Sequence, residues 1–520
     1  MNRKILIAGV AFTLLTSGCT KLEEKYNANI ITDPSTGSSP NVGNLLTAVY
    51  NSMREPFQNQ ERMLGLWEMT TDALIGPTRG PDWDDNGVWR VLHAHQFNAD
   101  NIRILQTFND MGSTVFQATD LLRYNPSPAQ SAQARFIRAM ANFIWLDGWD
   151  QVPHREPGES AVQPAKVRKG IEALDYIIAE INAVMPNLPD PSADKSIANK
   201  DAARVLLMKC YLNKGVYENR QTPSFAAADM NQVITLADQI INSNRYSFAS
   251  NYYDNFAPNN DAIGRENIWT HQNIGGNSSG PVRSRWHAVM HYNQYPSGWN
   301  GFSTLADFYS KFEANDVRIG TAYPTNSTVY TNPGNRRNIG FLEGQQYDLR
   351  NNTPLQDRKG QPLSFSKEVD IIEKTNDLER RGIRPYKYAI DYPNADNGNW
   401  DNDYVYFRLA DVLLMKAEAV LRGGTATTAG TYGSTPAAIV NAIRTNRGAS
   451  VLPTVTLDNL IDERGRELYL ENWRRQDLIR FGKFLAPREE KPETSDPKYL
   501  LFPIPSGQIA SNPNLTQNPG

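Results

Sequence analysis

The spacing of apolar residues predicts amphipathic helices over most of the first half of the chain. In AADMNQVITLADQII, residues 227–241, apolar side chains recur every three or four positions and therefore share one face of a helix. The same pattern appears in QARFIRAMANFIWL, ALDYIIAEINAVM and DAARVLLMKCYL, and short polar or proline-rich turns separate these segments. Successive amphipathic helices with short links predict a helical-repeat scaffold of the tetratricopeptide type, although no clean repeat length is visible.

The pattern changes in the middle of the chain and then returns. Residues 244–400 are rich in Gly, Asn, Pro, Tyr and Trp, which predicts loops with short strands. Helical spacing resumes over 401–484, as in YFRLADVLLMKAEAVLRGG. We therefore predict a mostly α fold with one domain over 41–520. Its helical core runs from about 41–243 and over 401–484, and the middle is a loop-rich insertion laid over that core.

The first residues resemble a bacterial lipoprotein signal. The apolar run Ile5–Leu15 follows two cations and is shorter than the roughly 20 residues that a membrane-spanning helix needs. Small residues then lead to a cysteine, so we predict a signal peptide over 1–18 and lipidation of Cys19. Residues 19–40 are polar and predict a flexible tether. A plain secretory signal with an incidental cysteine is the alternative.

Composition narrows the class of partner. The net charge of −3 becomes −5 when the signal, with its two cations and no acidic residue, is removed. A mildly acidic chain argues against nucleic acid, because phosphate binding needs a basic face. If Cys19 carries lipid, Cys210 is the remaining thiol and no intramolecular disulfide forms. Cys210 lies in an apolar helical pattern, so we expect it in the core.

A charged segment near the C-terminus, IDERGRELYLENWRRQDLIRFGKF, admits two interpretations. Its carboxylates and guanidiniums suggest either a catalytic cluster or a structural ion-pair network. On a helix, Glu471 would reach Arg474 and Arg475, and Asp477 would reach Arg480. Such pairing keeps each carboxylate ionised, which favours the structural network over a general acid.

The same segment resembles the C-terminal signature of the SusD/RagB family. The matching residues are Glu463, Arg464, Arg466, Glu467, Leu468, Glu471, Arg474, Asp477, Leu478, Ile479, Arg480, Phe481 and Gly482. Asn472 stands where the family usually has Gly. The segments ARFIRAMANFIWLDGWDQVP, YFRLADVLLMKAEA, VNAIRTNRGA and FPIPSGQIASNPNLTQNPG are similar to other family segments in the same order. Cys19 with Glu23 and Glu24 resembles the signal that exports such lipoproteins to the cell surface.

The resemblance implies a function. Members of this family are nutrient-binding lipoproteins of the outer membrane, with a tetratricopeptide-type core and a loop-rich ligand face. It implies a non-enzymatic protein that captures oligosaccharide or polysaccharide at the cell surface. It also implies a partner, a SusC-like TonB-dependent outer-membrane barrel that the lipoprotein caps.

Two loop segments have the composition of a carbohydrate site. Sugar rings have apolar faces, so such a site needs exposed aromatic rings with polar groups at their edges. GPTRGPDWDDNGVW and RSRWHAVMHYNQYPSGWNG have this composition. The predicted ligand-binding residues are Trp83, Trp89, Trp286, Tyr292, Tyr295, Trp299 and Asn300. The alternative is that each ring anchors its loop in the core, as we expect for the tryptophans on helical segments, Trp145, Trp149 and Trp473.

Two partial metal motifs are present, and no cofactor is expected from them. HAVMH has the histidine spacing of a zinc-protease helix, but Ala288 stands where the catalytic Glu is needed. DWDDNG resembles the first half of a calcium loop through Asp82, Asp84 and Asn86. His93 replaces the Glu that would complete an EF-hand, which leaves only a partial calcium site open.

Two rival functions remain at this stage. The same fold would bind peptides in the first. In the second the protein is a glycoside hydrolase, which requires a carboxylic acid of raised pKa beside an ionised partner. Because the acidic residues are scattered or paired with Arg, we expect a binding protein and not an enzyme.

Overall fold

The computed structural model describes residues 40–160 and 162–519. The predicted signal peptide 1–18, the lipidation site Cys19 and the tether up to residue 39 lie outside the described residues. From Val42 onward the chain forms one folded unit. No helix in the described ranges is long and apolar enough to cross a membrane.

Eight α-helices occupy the first half of the described chain, as the apolar periodicity predicts. They are α1 Val42–Ser52, α2 Arg54–Gln58, α3 Val88–His93, α4 Ile102–Leu121, α5 Pro128–Trp149, α6 Gly170–Val184, α7 Lys200–Glu218 and α8 Ala227–Ile241. A π-helical segment, Gln60–Glu68, follows α2. Side-chain caps define several helix starts: Ser127 and Gln130 form a capping box at α5, and Asn199 caps α7. From α4 to α8, each helix packs against the next, which is the helical-repeat arrangement.

The helices after the insertion pack onto this repeat. They are α12 Leu409–Leu421, α13 Pro436–Asn446, α14 Leu457–Leu468, α15 Arg474–Arg480 and α16 Ser506–Ser511, while α9 Asn260–Ile263, α10 Val282–His287 and α11 Ala306–Tyr309 are short helices of the insertion. Helix α12 contacts α7 and α8 as well as α13 and α14. A buried ion pair of 2.7 Å between Lys209 of α7 and Asp411 of α12 joins the two regions. The prediction that they pack together is confirmed.

The insertion carries short antiparallel strands, as predicted. Three strands lie outside residues 244–400: β1 Gln151–His154, β2 Lys166–Lys169 and β11 Tyr404–Arg408. Those of the insertion are β3 Asn267–His271, β4 Gly320–Thr321, β5 Ile339–Leu342, β6 Gly344–Gln345, β7 Tyr347–Asp348, β8 Thr353–Pro354, β9 Ser364–Phe365 and β10 Arg384–Tyr386. They form small sheets, of which β10–β5–β4 is a three-stranded example. The pair β3–β11, with Tyr404 opposite His271, ties the two ends of the insertion together beside α12.

The predicted core residues are buried. Trp145, Trp149 and Trp473 are each less than 5 % exposed, and Cys210 is fully buried. The tryptophans pack against other aromatic side chains, and Trp149 meets Phe502 at 5.5 Å between ring centroids. These four predictions are confirmed.

The charged C-terminal segment is two helices with a sharp turn between them. Helix α14 ends at Leu468 and α15 begins at Arg474. Leu470 and Asn472 in the turn have φ angles of 58° and 68°. Asn adopts this left-handed region more readily than most residues, so Asn472 suits its position in the turn.

This turn changes one of the predicted ion pairs. Asp477 and Arg480 pair at 2.7 Å within α15, as predicted. The prediction that Glu471 pairs with Arg474 and Arg475 is wrong. Because the helix is broken, Glu471 faces inward and contacts Lys387 at 2.5 Å and Arg408 at 2.7 Å.

A buried ionic network therefore links the C-terminal helices to the insertion. Glu467 of α14 contacts Arg318 at 2.9 Å, Arg408 at 2.6 Å and Arg447 at 2.9 Å. Burial alone would raise the pKa of Glu467, but the three guanidinium groups lower it well below its usual range. The charged segment therefore forms a structural ion-pair network, which is the interpretation that the sequence pattern favours over a catalytic cluster.

Candidate functional site

The two aromatic loops identified in the sequence meet in the structure. The indole N–H of Trp83 donates a hydrogen bond to the main-chain carbonyl of Trp299 at 2.7 Å. The hydroxyl of Tyr292 donates to Asp82 at 2.8 Å. Two contacts therefore join segments that are more than two hundred residues apart in sequence, and they bring Trp83 together with the loop that carries Tyr292, Tyr295 and Trp299.

The exposed rings of this face each have a planar group packed behind them. Trp299 and Tyr295 are both 43 % exposed. The imidazole of His287 lies 4.8 Å from the Trp299 ring at an angle of 30°, and the guanidinium of Arg350 lies 3.8 Å from the Tyr295 ring. Backing of this kind restricts the rings, so less conformational entropy is lost when a ligand packs against them.

Tyr292 and Trp83 are partly buried. Arg358 lies 4.0 Å from the Tyr292 ring and also pairs with Glu379 at 2.7 Å. Trp83 packs on Phe302 at 5.0 Å between centroids. We call the surface formed by Trp83, Tyr292, Tyr295 and Trp299 the aromatic face.

The other three predicted ligand contacts are corrected by the structure. Trp89 and Trp286 are at most 1 % exposed, and Asn300 is fully buried. Trp89 packs against Phe302, Trp286 packs against Trp400, and the Asn300 side chain accepts a hydrogen bond from Arg384 at 2.8 Å. Because their side chains are enclosed, these residues anchor the loops and offer no surface to a ligand. Loop composition alone did not separate the two roles.

A glycine allows Trp83 to lie flat against the neighbouring backbone. A Cβ atom built on Gly301 would stand 2.3 Å from two atoms of the Trp83 indole. Any larger residue at this position would push the ring away. The Gly301 position therefore controls the shape of the aromatic face without contributing a side chain to it.

The buried guanidinium of Arg79 organises the same loops, and sequence reasoning missed it. Arg79 donates to the carbonyl oxygens of Asn300 and Gly301, each at 3.2 Å, and to those of Leu378 and Arg381 at 2.6 and 2.9 Å. Burial lowers the pKa of Arg79 to about 10, so it remains a cation at neutral pH. Its position in GPTRGP, a cation among turn residues, was the available signal.

The two histidines of HAVMH have separate structural roles. Burial, with the nearby charge of Arg283, lowers the pKa of His287 to about 4, so the ring behind Trp299 is neutral at pH 7. His291 instead contacts Glu379 at 3.1 Å. The α-helix ends at His287, so the spacing of a zinc-protease helix is not realised.

The partial calcium motif does not fit a calcium ion. Asp82 accepts from Tyr292, and Asp84 pairs with Arg90 at 2.8 Å, so the two carboxylates are engaged by different protein groups. Calcium needs six or more oxygen ligands that converge on one point. In the described part of the chain, no three His, Cys, Asp or Glu side chains are grouped so as to hold a metal.

A cavity of about 200 Å³ borders the aromatic face at Tyr295. Its polar lining comes from both the loop of Tyr295 and the strands of the insertion, and includes Gln294, Arg336, Arg337, Gln345 and Tyr347. Gln294 belongs to the second aromatic loop, and the other four residues did not stand out in the sequence. The consecutive arginines in NPGNRRNIG were the signal for them.

The architecture defines a class of protein. A helical-repeat core that supports a loop-built face of backed aromatic rings is a scaffold for binding an extended ligand at a surface. The pattern that defines the SusD family matches residues 234–520, more than half of the 520 residues. The chain belongs to the SusD family.

Similar proteins span most of this chain. The starch-binding protein SusD of Bacteroides thetaiotaomicron is 28 % identical over 431 residues, covering 75 % of this chain and 72 % of that protein. SusD-like protein P25 of Formosa agariphila is 23 % identical over 426 residues, covering 74 % of this chain and 71 % of that protein.

Solved structures confirm the fold. A SusD superfamily protein from Parabacteroides distasonis superposes with a TM-score of 0.69 at 19 % identity, covering 92 % of this chain and 100 % of that chain. Surface glycan-binding protein A of Bacteroides thetaiotaomicron, solved with laminarihexaose, superposes with a TM-score of 0.65 at 17 % identity, covering 92 % of this chain and 98 % of that chain. The predicted mostly α, SusD-like fold is thus confirmed.

Proposed function

We propose that this protein is a cell-surface lipoprotein that binds oligosaccharide or polysaccharide on the aromatic face. The observation that carries the proposal is the junction of two distant loops, which presents Trp299 and Tyr295 with one side of each ring backed by protein. Sugar rings stack on such surfaces through their apolar faces. Asp82 and Arg358, which both contact Tyr292, are partly exposed and can bind hydroxyl groups.

Relatives support the same class of ligand. The SusD family comprises carbohydrate-binding, non-catalytic proteins. Starch is the ligand in the name of SusD itself, and laminarihexaose occupies one structural neighbour. Stacking with few charged contacts predicts affinities from about micromolar to about millimolar, or roughly 4 to 8 kcal/mol.

We also propose that the protein is held at the outer membrane and passes its ligand to a SusC-like TonB-dependent barrel. The cysteine after an apolar signal supports the anchor, because stable anchoring needs more than one acyl chain and bacterial lipoproteins carry several. Membership of the SusD family supports the transporter partner.

The charge environment of the face argues against a glycoside hydrolase. A general acid needs a raised pKa. Burial would raise the pKa of Glu379, but hydrogen bonds from Arg358 lower it below its usual value. Asp82 accepts a hydrogen bond from Tyr292. Both carboxylates therefore hold loops in place.

Calorimetry on a soluble form that starts after Cys19 tests glycan binding. The panel contains maltoheptaose, laminarihexaose, a xylogluco-oligosaccharide and a mixed peptide library. We expect one glycan to bind, Trp299→Ala to lose that binding, and no new reducing ends to appear. The matched control is Phe116→Ala, which removes an exposed ring on α4, away from the aromatic face. Binding of peptides alone, or normal glycan binding by Trp299→Ala, would contradict the proposal.

A further inference from the structure

The cavity beside Tyr295 is too small for a whole oligosaccharide. Its volume of about 200 Å³ is below the roughly 300 to 1,000 Å³ of pockets that enclose complete small-molecule ligands. Tyr295 belongs both to the cavity wall and to the aromatic face. A glycan stacked on the face could therefore insert only a substituent or one sugar unit into the cavity.

Two arginines in the wall have no acidic partner. Arg336 lies 3.6 Å from the Tyr347 ring and donates through Nε to the Asn352 side chain at 2.7 Å. Arg337 donates through Nη1 to the carbonyl of Phe341 at 3.0 Å. Within residues 40–160 and 162–519, neither guanidinium forms a salt bridge. Each has five N–H donors, so donors remain after these contacts to neutral groups.

The lining is cationic in sum. Among the described residues that line the cavity, Glu343 is the acidic one. Its carboxylate already accepts a hydrogen bond from Tyr309 at 2.8 Å and lies 3.6 Å from Lys367. The lining therefore carries a net charge of +1, and Lys367 beside Glu343 adds a further positive charge close to the cavity.

A buried hydroxyl in the same wall lacks a hydrogen-bond partner. Tyr386 lines the cavity and is 2 % exposed, and its hydroxyl oxygen has no partner among the described residues. Burial raises the pKa of this phenol, so the group stays protonated and can donate. Most buried polar groups are hydrogen-bonded, so the Tyr386 hydroxyl is an unused donor in the wall of this cavity.

We propose that this cavity is a subsite for an anionic substituent of the bound glycan, either a carboxylate or a sulfate ester. Arg336 and Arg337 supply the positive charge, and Tyr386 supplies a neutral donor. Guanidinium groups match the planar carboxylate and the oxygens of sulfate through paired N–H donors. The inference rests on the proposed function, since Tyr295 connects the subsite to the aromatic face.

Matched pairs of glycans test the proposal on the soluble protein by calorimetry. One pair is a xylo-oligosaccharide with and without a glucuronic acid branch. The other is a carrageenan oligosaccharide before and after desulfation. We expect at least one anionic member to bind tenfold or more tightly than its neutral partner, and this preference to shrink at high salt. The two pairs distinguish a carboxylate from a sulfate.

Variants locate the preference. Arg337→Gln and Arg336→Gln should each reduce the preference to less than threefold while leaving binding of the neutral member unchanged. Arg123→Gln is the control for net charge, because Arg123 pairs with Asp120 at 2.8 Å on an exposed surface outside the cavity. A preference that survives both cavity variants, or the absence of any preference, overturns the subsite.

Free anions separate this inference from the glycan function. Sodium glucuronate should raise the melting temperature of the wild type more than sodium chloride does. We call the difference between these two rises the excess, and it should vanish in Arg337→Gln. If neutral glycans bind through Trp299 but no anionic preference and no excess appear, the subsite is wrong and the glycan function stands. If the excess appears but neither these pairs nor the glycans of the calorimetry panel bind, the anion site stands and the glycan function fails.

Discussion

The indole N–H of Trp83 donates to the carbonyl oxygen of Trp299 at 2.7 Å, so the backbone of one aromatic loop holds the side chain of the other. The contact leaves the Trp299 ring 43 % exposed while Trp83 becomes partly buried. Each loop therefore depends on the other for its position. Changes in either loop should alter ligand binding more than they alter the helical core.

The tryptophans of one loop should separate binding from stability. Trp299→Ala should lose detectable glycan binding while its unfolding free energy changes by less than about 1 kcal/mol, because the ring is half exposed. Trp286→Ala should destabilise the fold by about 3 to 5 kcal/mol, because its ring is fully enclosed. Calorimetry with urea unfolding on both variants measures the two effects. Equal destabilisation by both would show that Trp299 is also an anchor.

Gly301→Ala should weaken glycan binding without removing any contact group. The added methyl would stand 2.3 Å from the Trp83 indole, so the ring must move out of the aromatic face. We expect at least a fivefold loss of affinity by calorimetry, on the order of 1 kcal/mol. The control is Gly507→Ala, because a Cβ there would meet nothing within 4 Å. Unchanged affinity in Gly301→Ala would mean that Trp83 does not shape the ligand site.

Glu463 should contribute to stability in a pH-dependent manner. It contacts Arg318 at 2.7 Å and Arg444 and Arg466 at 2.6 Å each, and although burial opposes the shift, these charges lower its pKa to about 2. Glu463→Gln should cost about 3 to 5 kcal/mol near neutral pH. Because the pKa of Glu463 is lower in the folded protein than the value of about 4 in the unfolded chain, its ion pairs stabilise the fold above about pH 4. This stabilisation is lost as the pH falls toward about 2. The cost of the substitution should therefore shrink in acid.

Urea unfolding at several pH values measures this effect. Asp120→Asn is the matched control, because its pair with Arg123 is largely exposed and should contribute less than about 1 kcal/mol. A cost for Glu463→Gln that does not change between about pH 6 and about pH 3 would contradict the assignment of a lowered pKa.

Glu68 should affect stability with the opposite pH dependence to Glu463. Glu68 is fully buried, and burial raises its pKa to about 8. The main-chain N–H of Asn472, which donates a hydrogen bond to the carboxylate at 2.7 Å, only partly offsets this rise. A raised pKa gives stability that is complete below the unfolded value and is lost as pH rises through about 8. Glu68→Gln should therefore gain stability relative to wild type as pH rises from about 5 to about 9. Thermal melting of both proteins over this pH range measures the difference in stability between them. A difference that stays the same from about pH 5 to about pH 9 would contradict a protonated Glu68.

Cys19→Ala should release the protein from the membrane without unfolding it. Cys19 lies in the predicted lipoprotein signal, and the acyl chains on its thiol would supply the membrane affinity. Fractionation of cells that lack the partner barrel, with circular dichroism on the released protein, checks both parts. A variant that still sediments with outer membranes in those cells would disprove the lipid anchor.

The helical core was predictable because its signal is local. Apolar side chains repeat every three to four residues in α5 to α8 and again in α12, and burying that face is the strongest constraint on each segment. The buried positions of Trp149 and Cys210 follow from the same pattern. The pairing of Asp477 with Arg480 was also local, since both residues lie on one helix.

The partner of Glu471 was not predictable in this way. Glu471 lies in the turn, between Leu470 and Asn472, and the turn points its side chain away from its neighbours in sequence. It pairs with Lys387 and Arg408, which come from distant parts of the chain. The periodicity of a helix carries no information once the helix has ended.

The sequence by itself determined the helical scaffold, the loop-rich character of the insertion and the two segments that supply the aromatic face. Only the tertiary structure decided which rings of those segments remain accessible. Trp286 and Trp299 lie in the same Gly- and Asn-rich loop, yet one packs on Trp400 in the core and the other stays exposed. The difference arises because loop residues follow no fixed period, so their burial depends on what distant parts of the chain place beside them.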